Sequence, residues 1–324
     1  MKEKYLQIAG AFLLGLLVPW LVLRVGGLMV REDVVTVPTA QPETQDSALV
    51  KSSKIRVVML TGETVEMEME SYLVGVVLAE MPTSYEPAAL QAQAIVARTY
   101  ALKRQQEERH PGGAICTDFT CCQAYISQEN YLDGLGYQED IDKTISAVKA
   151  TAGQVLTYRG ELIEATYFSC SGGRTEDALA VWGVDYPYLQ AVESPGEENM
   201  ENYSVQVHFS REELEKKLGI TLSGTPKSWL GWTTCTTGGG VDLMFFAGIK
   251  YSGLELRKLL GLNSTAFKMQ EDGDGILVTT SGKGHRVGMS QSGAQAMAAK
   301  GSSCVEILAH YYPGTTIDKW GDLQ

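Results

Sequence analysis

One carboxylate in this chain is placed for proton transfer. Glu80 ends the apolar run Ser71-Tyr-Leu-Val-Gly-Val-Val-Leu-Ala-Glu80, where Met81-Pro82 breaks a helical pattern and a small-residue helix follows from Pro87. A carboxyl at such a semi-buried corner is held toward its neutral form and can act as an acid. On the second helix Gln91, Ala94, Arg98 and Ala101 share one face, so Arg98 sits among small apolar residues and requires an acid. Glu80 is the nearest candidate in sequence. By spacing alone, a plain helix-connecting salt bridge explains the pair at least as well as catalysis does.

Two further clusters carry hydrogen-bonding side chains among glycines. The first is Gly282-Lys-Gly-His285-Arg-Val-Gly-Met-Ser290-Gln291, leading into a helix over Gln295–Ala299, where glycines allow close backbone approach and His285, Ser290 and Gln291 supply polar groups. His285 is equally readable as a structural histidine. The second is Tyr167-Phe-Ser169-Cys-Ser171-Gly-Gly173, a strand entering a hydroxyl-rich turn; it lacks the Gly-x-Ser-x-Gly elbow of a serine nucleophile. The chain also has six cysteines. His110-x5-Cys116-x5-Cys122, with Cys121 adjacent, has the composition of a tetrahedral zinc site, while an even cysteine count in an exported domain also fits disulfides. Cys170, Cys235 and Cys304 are assigned to ordinary packing.

The elements that must position these groups read as α+β, with mostly antiparallel strands and several helices forming a groove. Ile55–Leu60 and Thr64–Met69 form a hairpin whose second strand alternates Val65, Met67 and Met69. Ser71 is the candidate N-cap of the first helix and Pro87 opens the second. Gln154–Tyr158 and Leu162–Phe168 read as another hairpin, and Tyr203–Phe209 as a further strand. Ser210–Glu213, Ser252–Glu255 and Ser303–Glu306 have capping-box spacing, so a helix is expected after each serine. Asp272-Gly-Asp-Gly275 joins two strands as a hairpin turn, since it lacks the terminal glutamate of a calcium loop.

Residues 1–30 read as a short tip and membrane anchor, residues 31–54 as a polar tether, 55–320 as one catalytic domain and 321–324 as a tail. Leu6–Leu23 is about eighteen residues without charge, close to the length that crosses hydrocarbon. Lys2 and Lys4 precede it, which leaves the tip in the cytoplasm and the domain outside, with Arg24 opposing. No small-x-small cleavage site follows, so an uncleaved anchor is favoured over a signal peptide. The net charge of −12, from 39 acidic and 27 basic residues without a basic stripe, speaks against nucleic acid as a partner.

Taken together, Ala79-Glu80-Met-Pro, Ala92-Gln-Ala-Ile-Val-Ala-Arg98-Thr-Tyr100, Ser169-x-Ser-Gly-Gly-x-Thr175, Gly284-His285-x-Val-Gly-Met-Ser-Gln291 and His310-Tyr-Tyr-Pro-Gly-Thr315 resemble the stage II sporulation protein D family, in its order and over roughly Ile55 to Ile317. The resemblance implies a membrane-anchored lytic transglycosylase acting on peptidoglycan glycan strands stripped of stem peptides during engulfment of the forespore. It implies as partners the amidase stage II sporulation protein P and the membrane protein stage II sporulation protein M. Glu80 is then the single acid/base, and its product is a 1,6-anhydro sugar. Arg98, Gln123, Tyr125, Tyr167, Ser169, Ser171, His285 and Gln291 are the implied substrate-binding residues. A catalytic Glu80 must be neutral near pH 7, against Leu78, Met81 and Pro82, and a tightly paired Arg98 would oppose that, so Arg98 is expected to orient or contact substrate in the groove. Some members carry a His/Cys zinc cluster, which tips the cysteine question to a structural zinc on His110, Cys116 and Cys122; the predicted chemistry itself requires no cofactor.

The sequence departs from the family pattern at Arg286, where Gly is usual, at Cys170, where Thr or Ser is usual, and at Gln91, where Lys is common. Two other readings are open. One is a non-catalytic wall-binding or amidase-activating module, since the resemblance extends to amidase enhancers. The other is a zinc hydrolase, for which Asp118 is the one nearby base.

Overall fold

The computed structural model describes residues 54–134 and 136–323. The apolar run Leu6–Leu23 and nearly all of the tether lie outside those residues. Among the described residues no helix is long and apolar enough to cross a membrane.

The fold begins with the expected hairpin: β1 (Lys54–Val58) pairs antiparallel with β2 (Thr64–Glu68), Val57 opposite Val65. β2 runs directly into α1 (Met69–Glu80), so the helix starts ahead of Ser71, with Glu68 at the N-cap position and Glu70 in the first turn. α1 is apolar on nearly every side and sits inside the molecule, with Tyr72, Leu73, Val76 and Val77 fully buried. Met81 stops it, because a residue preceding proline is pushed to extended backbone, here φ −130° and ψ 141°. α2 (Pro87–Gln106) opens with Pro87 in its first turn. Its buried Ala89, Ala92, Ala94, Ala97 and Ala101 let other elements approach closely, and α2 becomes the central helix of the first core.

After α2, β3 (Ile115–Cys116) joins β1 in parallel. α3 (Gln128–Asp133) and α4 (Gln138–Ala150) follow, α4 packing on α1 and α2. The expected second hairpin is only partly present. β4 (Gln154–Tyr158) pairs with just β5 (Glu161–Leu162), and the chain then leaves the sheet. Residues 162–165 are all buried and have no alternating face to hold them in a two-sided hairpin. β6 (Tyr167–Phe168) instead finds a parallel partner much further along the chain. A short α5 (Ala178–Trp182) lies beyond it.

Residues 204–281 build a second apolar core. β7 (Ser204–Phe209), α6 (Arg211–Leu218), α7 (Pro226–Trp229), β8 (Leu230–Cys235), β9 (Val241–Phe246), β10 (Ile249–Ser252), α8 (Gly253–Leu260), β11 (Phe267–Asp272) and β12 (Gly275–Ser281) form two antiparallel sheets, in the orders β10-β9-β8 and β11-β12-β7. These pack around Leu214, Phe246, Leu256, Ile276 and Val278. The turn at Asp272-Gly-Asp-Gly275 is the expected hairpin, Asp272 opposite Gly275.

The chain returns to the first core through β13 (Met289–Ser290), the parallel partner of β6, then α9 (Gln291–Ala299), α10 (Cys304–Tyr311) and β14 (Thr316–Lys319), which pairs with β4. Capping boxes open α6, α8 and α10 at Ser210, Ser252 and Ser303, as their spacing requires. Apart from β1–β3 and β6–β13 the strand pairs are antiparallel.

Arg286 explains its own departure from the glycine expected there. Its φ of +67° lies in the left-handed region that favours glycine. The buried guanidinium offsets that strain by donating to the carbonyls of Ser171, Arg174 and Gly238 and to Glu176 Oε1 at 3.2 Å. Glu176, fully buried, also accepts from Gly240 N–H and Thr236 Oγ, so this ion pair ties the β8–β9 loop of the second core to the first.

Candidate active site

Glu80 lies on the wall of an open groove of about 1200 Å³. Three donors reach its carboxylate. Oε1 accepts from the Ala124 N–H at 2.9 Å and from the Tyr167 hydroxyl at 3.2 Å, and Oε2 accepts a long 3.5 Å contact from Gln291 Nε2. Among the described residues no cation lies within ion-pairing distance of it. Burial therefore dominates and pushes the Glu80 carboxyl above the usual carboxylate range, opposed in part by the Ala124, Tyr167 and Gln291 hydrogen bonds. With Oε1 taken by two donors, Oε2 is the oxygen left to carry the proton.

The three donors arrive by two routes. Tyr167 and Gln291 are brought together by the β6–β13 pairing, which sets Met289 beside Tyr167 and Ser290 beside Phe168. Burial holds the Tyr167 phenol far above its ordinary range, so it stays a donor. Its single proton is shared between Glu80 Oε1 and Gln123 Oε1, the latter 3.0 Å away, and Gln123, itself buried, donates to the Tyr72 hydroxyl at 3.0 Å. Tyr125 stacks on Tyr72, with ring centroids 5.7 Å apart. Tyr125 and the Ile126 carbonyl press on Gly75 so closely that a Cβ there would come within 2.4 Å of the ring. Gly75 thus interrupts the apolar helix to admit the segment that aims Ala124 N–H at Glu80.

The other expected site residues divide in two. Ser169 and His285 line the groove with Tyr167 and Gln291. His285 accepts the Val287 N–H at Nδ1 and packs against Phe168 and Trp182, and burial, with Arg257 adding to it, lowers its pKa to about 4, so it is neutral at ordinary pH. Gln123, Tyr125 and Ser171 stand behind the wall. Arg98 lies away from the groove, which corrects the expectation that it faces substrate. It is fully buried and bonds Glu70 Oε2 at 2.5 Å, Glu70 Oε1 at 3.1 Å and the Gln154 carbonyl at 3.0 Å.

A residue absent from the expectations organises the Ser169–Gly173 turn. Glu197, fully buried, accepts at Oε2 from the Ser171 N–H at 3.0 Å, the Ser171 hydroxyl at 2.7 Å and the Gly172 N–H at 3.0 Å. At Oε1 it accepts from Ser194 and Ser290 hydroxyls. Ser290 also caps α9 through the Gly293 N–H, so Glu197 fastens the turn to the helix that carries Gln291. The one signal in the sequence was Ser194-Pro-Gly-Glu197, which has the Ser-x-x-Glu spacing without a helix to cap.

His110, Cys116, Cys121 and Cys122 converge, their ligand atoms all within 4.8 Å of one another. His110 Nε2 lies 3.5 Å from Cys121 Sγ and 3.4 Å from Cys122 Sγ, and the six cysteines are unpaired. This donor set fits a tetrahedral zinc with bonds of about 2.0–2.3 Å and adds Cys121 to the three ligands expected. Asp118 is not among the converging donors; its Oδ1 accepts from the Thr120 N–H and hydroxyl. Cys121 and Cys122 border the groove and lead through Gln123 to Ala124, so the cluster braces the donor that faces Glu80.

Comparison with known proteins places this chain among sporulation proteins. A family profile described as SpoIID, Stage II sporulation protein, matches residues 61–158. Stage II sporulation protein D of Bacillus subtilis (strain 168) is 35% identical over 334 residues, covering 98% of this chain and 96% of the relative. Stage II sporulation protein D of Bacillus amyloliquefaciens is 38% identical over 257 residues, 78% of this chain and 74% of the relative. An amidase enhancer of Bacillus subtilis (strain 168) is 29% identical over 305 residues, 76% of this chain and 40% of the relative.

Proposed function

The chain belongs to the stage II sporulation protein D family, and from that premise we propose that it is a lytic transglycosylase that cuts peptide-stripped peptidoglycan glycan strands during sporulation engulfment. The observation that carries this reading is the isolation of Glu80, a groove carboxyl raised by burial and, among the described residues, without a cation in ion-pairing distance. Hydrolytic glycosidases generally set two carboxylates across the scissile bond. The other acid lining this groove, Glu164, is bound by Arg104 instead.

One acid suffices for anhydro-sugar formation. Glu80 gives its proton to the glycosidic oxygen, and the C1–O bond breaks as positive charge develops on the sugar ring. The Glu80 carboxylate, held by Ala124 N–H and Tyr167 O–H, then takes the proton of the same sugar's 6-hydroxyl as O6 closes on C1. The proton returns to Glu80 and no water is consumed. Neutral His285 contributes shape and hydrogen bonding to the groove rather than charge.

His110, Cys116, Cys121 and Cys122 would hold zinc as a structural ion, which supplies rigidity to the loop ending at Ala124. Leu6–Leu23 would anchor the protein in the cell membrane with its domain on the extracytoplasmic side. The substrate strands would come from an amidase, stage II sporulation protein P, with stage II sporulation protein M as membrane partner. The similarity to an amidase enhancer favours one second reading, a module that binds the wall and stimulates an amidase without cutting glycan.

Mass spectrometry of peptide-free glycan strands incubated with the full-length chain separates these readings. Anhydro ends that disappear with Glu80→Gln support the proposal, and reducing ends indicate hydrolysis. Intact strands that remain bound indicate the module.

A further inference from the structure

The protein as a whole is acidic, with a net charge of −12, yet the groove beside Glu80 is lined by Arg104, Arg109, Arg257 and Lys283. Arg104 is already engaged by Glu107 and Glu164, and Arg109 lines the groove at its Cys121 end. Arg257 and Lys283 have no carboxylate within 4.0 Å and no side-chain hydrogen-bond acceptor among the described residues. Arg257, on α8, is only partly exposed, and its charge is felt at His285. Lys283 is fixed at its backbone by reciprocal bonds with Cys170, at 3.2 and 2.7 Å, while its side chain stays exposed. Both come from the second core or the segment that leaves it.

An uncompensated guanidinium held partly out of water is costly until an anion meets it. We propose that Arg257 and Lys283 form an anion subsite that reads the lactyl carboxylate of N-acetylmuramic acid, the group exposed when the stem peptide is removed. This assignment rests on the reading of stripped glycan as substrate. Hydrolysis of the lactyl amide replaces a neutral linkage and its bulky peptide by a carboxylate, and the guanidinium fork matches a carboxylate with two parallel hydrogen bonds. Lys283 adds a flexible point charge at the rim. Discrimination between stripped and peptide-bearing strands would then be electrostatic, and the second core would supply it.

The test is equilibrium binding of the full-length chain carrying Glu80→Gln, which removes turnover, to stripped strands and to the same strands with their lactyl carboxylates converted to primary amides. The acid form is expected to bind roughly tenfold or more tightly, with a preference that shrinks as salt rises. Adding Arg257→Gln should abolish the preference while leaving affinity for the amide strands unchanged, which also reports an intact fold; Lys283→Gln should remove a smaller part. Equal affinity for the two strand forms, or equal loss of both in the Arg257 variant, overturns the subsite and leaves the glycan reading in place. Failure of both strand forms to bind overturns the glycan reading and the subsite with it.

Discussion

Glu80 and Glu197 are two carboxylates serving neighbouring segments of one groove wall, and they are satisfied to opposite degrees. Glu197 is fully buried and receives hydrogen bonds from Ser171, Gly172, Ser194 and Ser290, so neither oxygen has a lone pair left for a substrate. Glu80 borders open space, receives two good hydrogen bonds and one long one, and has no cation within ion-pairing distance among the described residues. Burial alone does not make a carboxylate reactive. Burial with too few donors does, because it favours the protonated form while leaving an oxygen free.

The comparison breaks most sharply by substitution. Glu80→Gln should lower glycan cleavage by about 10²–10⁴-fold, the span of general acid–base catalysis, while leaving the fold intact by circular dichroism. Glu197→Ala should do the reverse: its donors lose their common acceptor, and a loss of about 3–5 kcal/mol in urea denaturation is expected, with activity falling only as folded protein is lost. Equal stability losses in the two variants would erase the distinction. Tyr167→Phe removes one donor to the Glu80 carboxylate formed after proton donation and the donor facing the buried Gln123 Oε1, so a roughly tenfold drop in kcat and a loss of about 1–3 kcal/mol in urea denaturation are expected.

The smallest effect is on pH dependence. The Glu80 carboxyl is raised in the folded state, so its contribution to stability is fully present below the ordinary carboxylate value of 4.5 and is lost as pH rises through the raised value. Glu80→Gln should therefore gain stability relative to the parent as pH rises across that window, which differential scanning calorimetry at several pH values would read. Activity should fall in the same direction as the acid ionises. His285, with its pKa at about 4, should add no limb near 6.5; such a limb would mean that its ring carries charge in the working enzyme.

Much of the fold was legible where contacts are local. Pro87, the three Ser-x-x-Glu caps and the Asp272 hairpin are set by a few successive residues, and each stands where its spacing put it. Arg98 was misplaced although simple geometry could have found its partner. At about 1.5 Å per residue, a position eleven residues into α2 lies about 16 Å back from the turn, beside the start of α1 and not its end. Glu70 is there, and Glu80 is at the turn. The β6–β13 pairing had no comparable signal, because two-residue strands so far apart in sequence leave no periodic pattern to match.

By itself the sequence determined a carboxylate at the end of an apolar helix, a His/Cys set within thirteen residues (110–122) and the caps and turns between elements, since all of these are short-range chemistry. Only the tertiary structure decided that Glu80 meets Ala124, Tyr167 and Gln291 without Arg98, that Cys121 converges with His110, Cys116 and Cys122, and that Glu197 fastens the turn behind them. Desolvation and hydrogen-bond saturation are collective properties of segments far apart in the chain, and they exist only once those segments have packed.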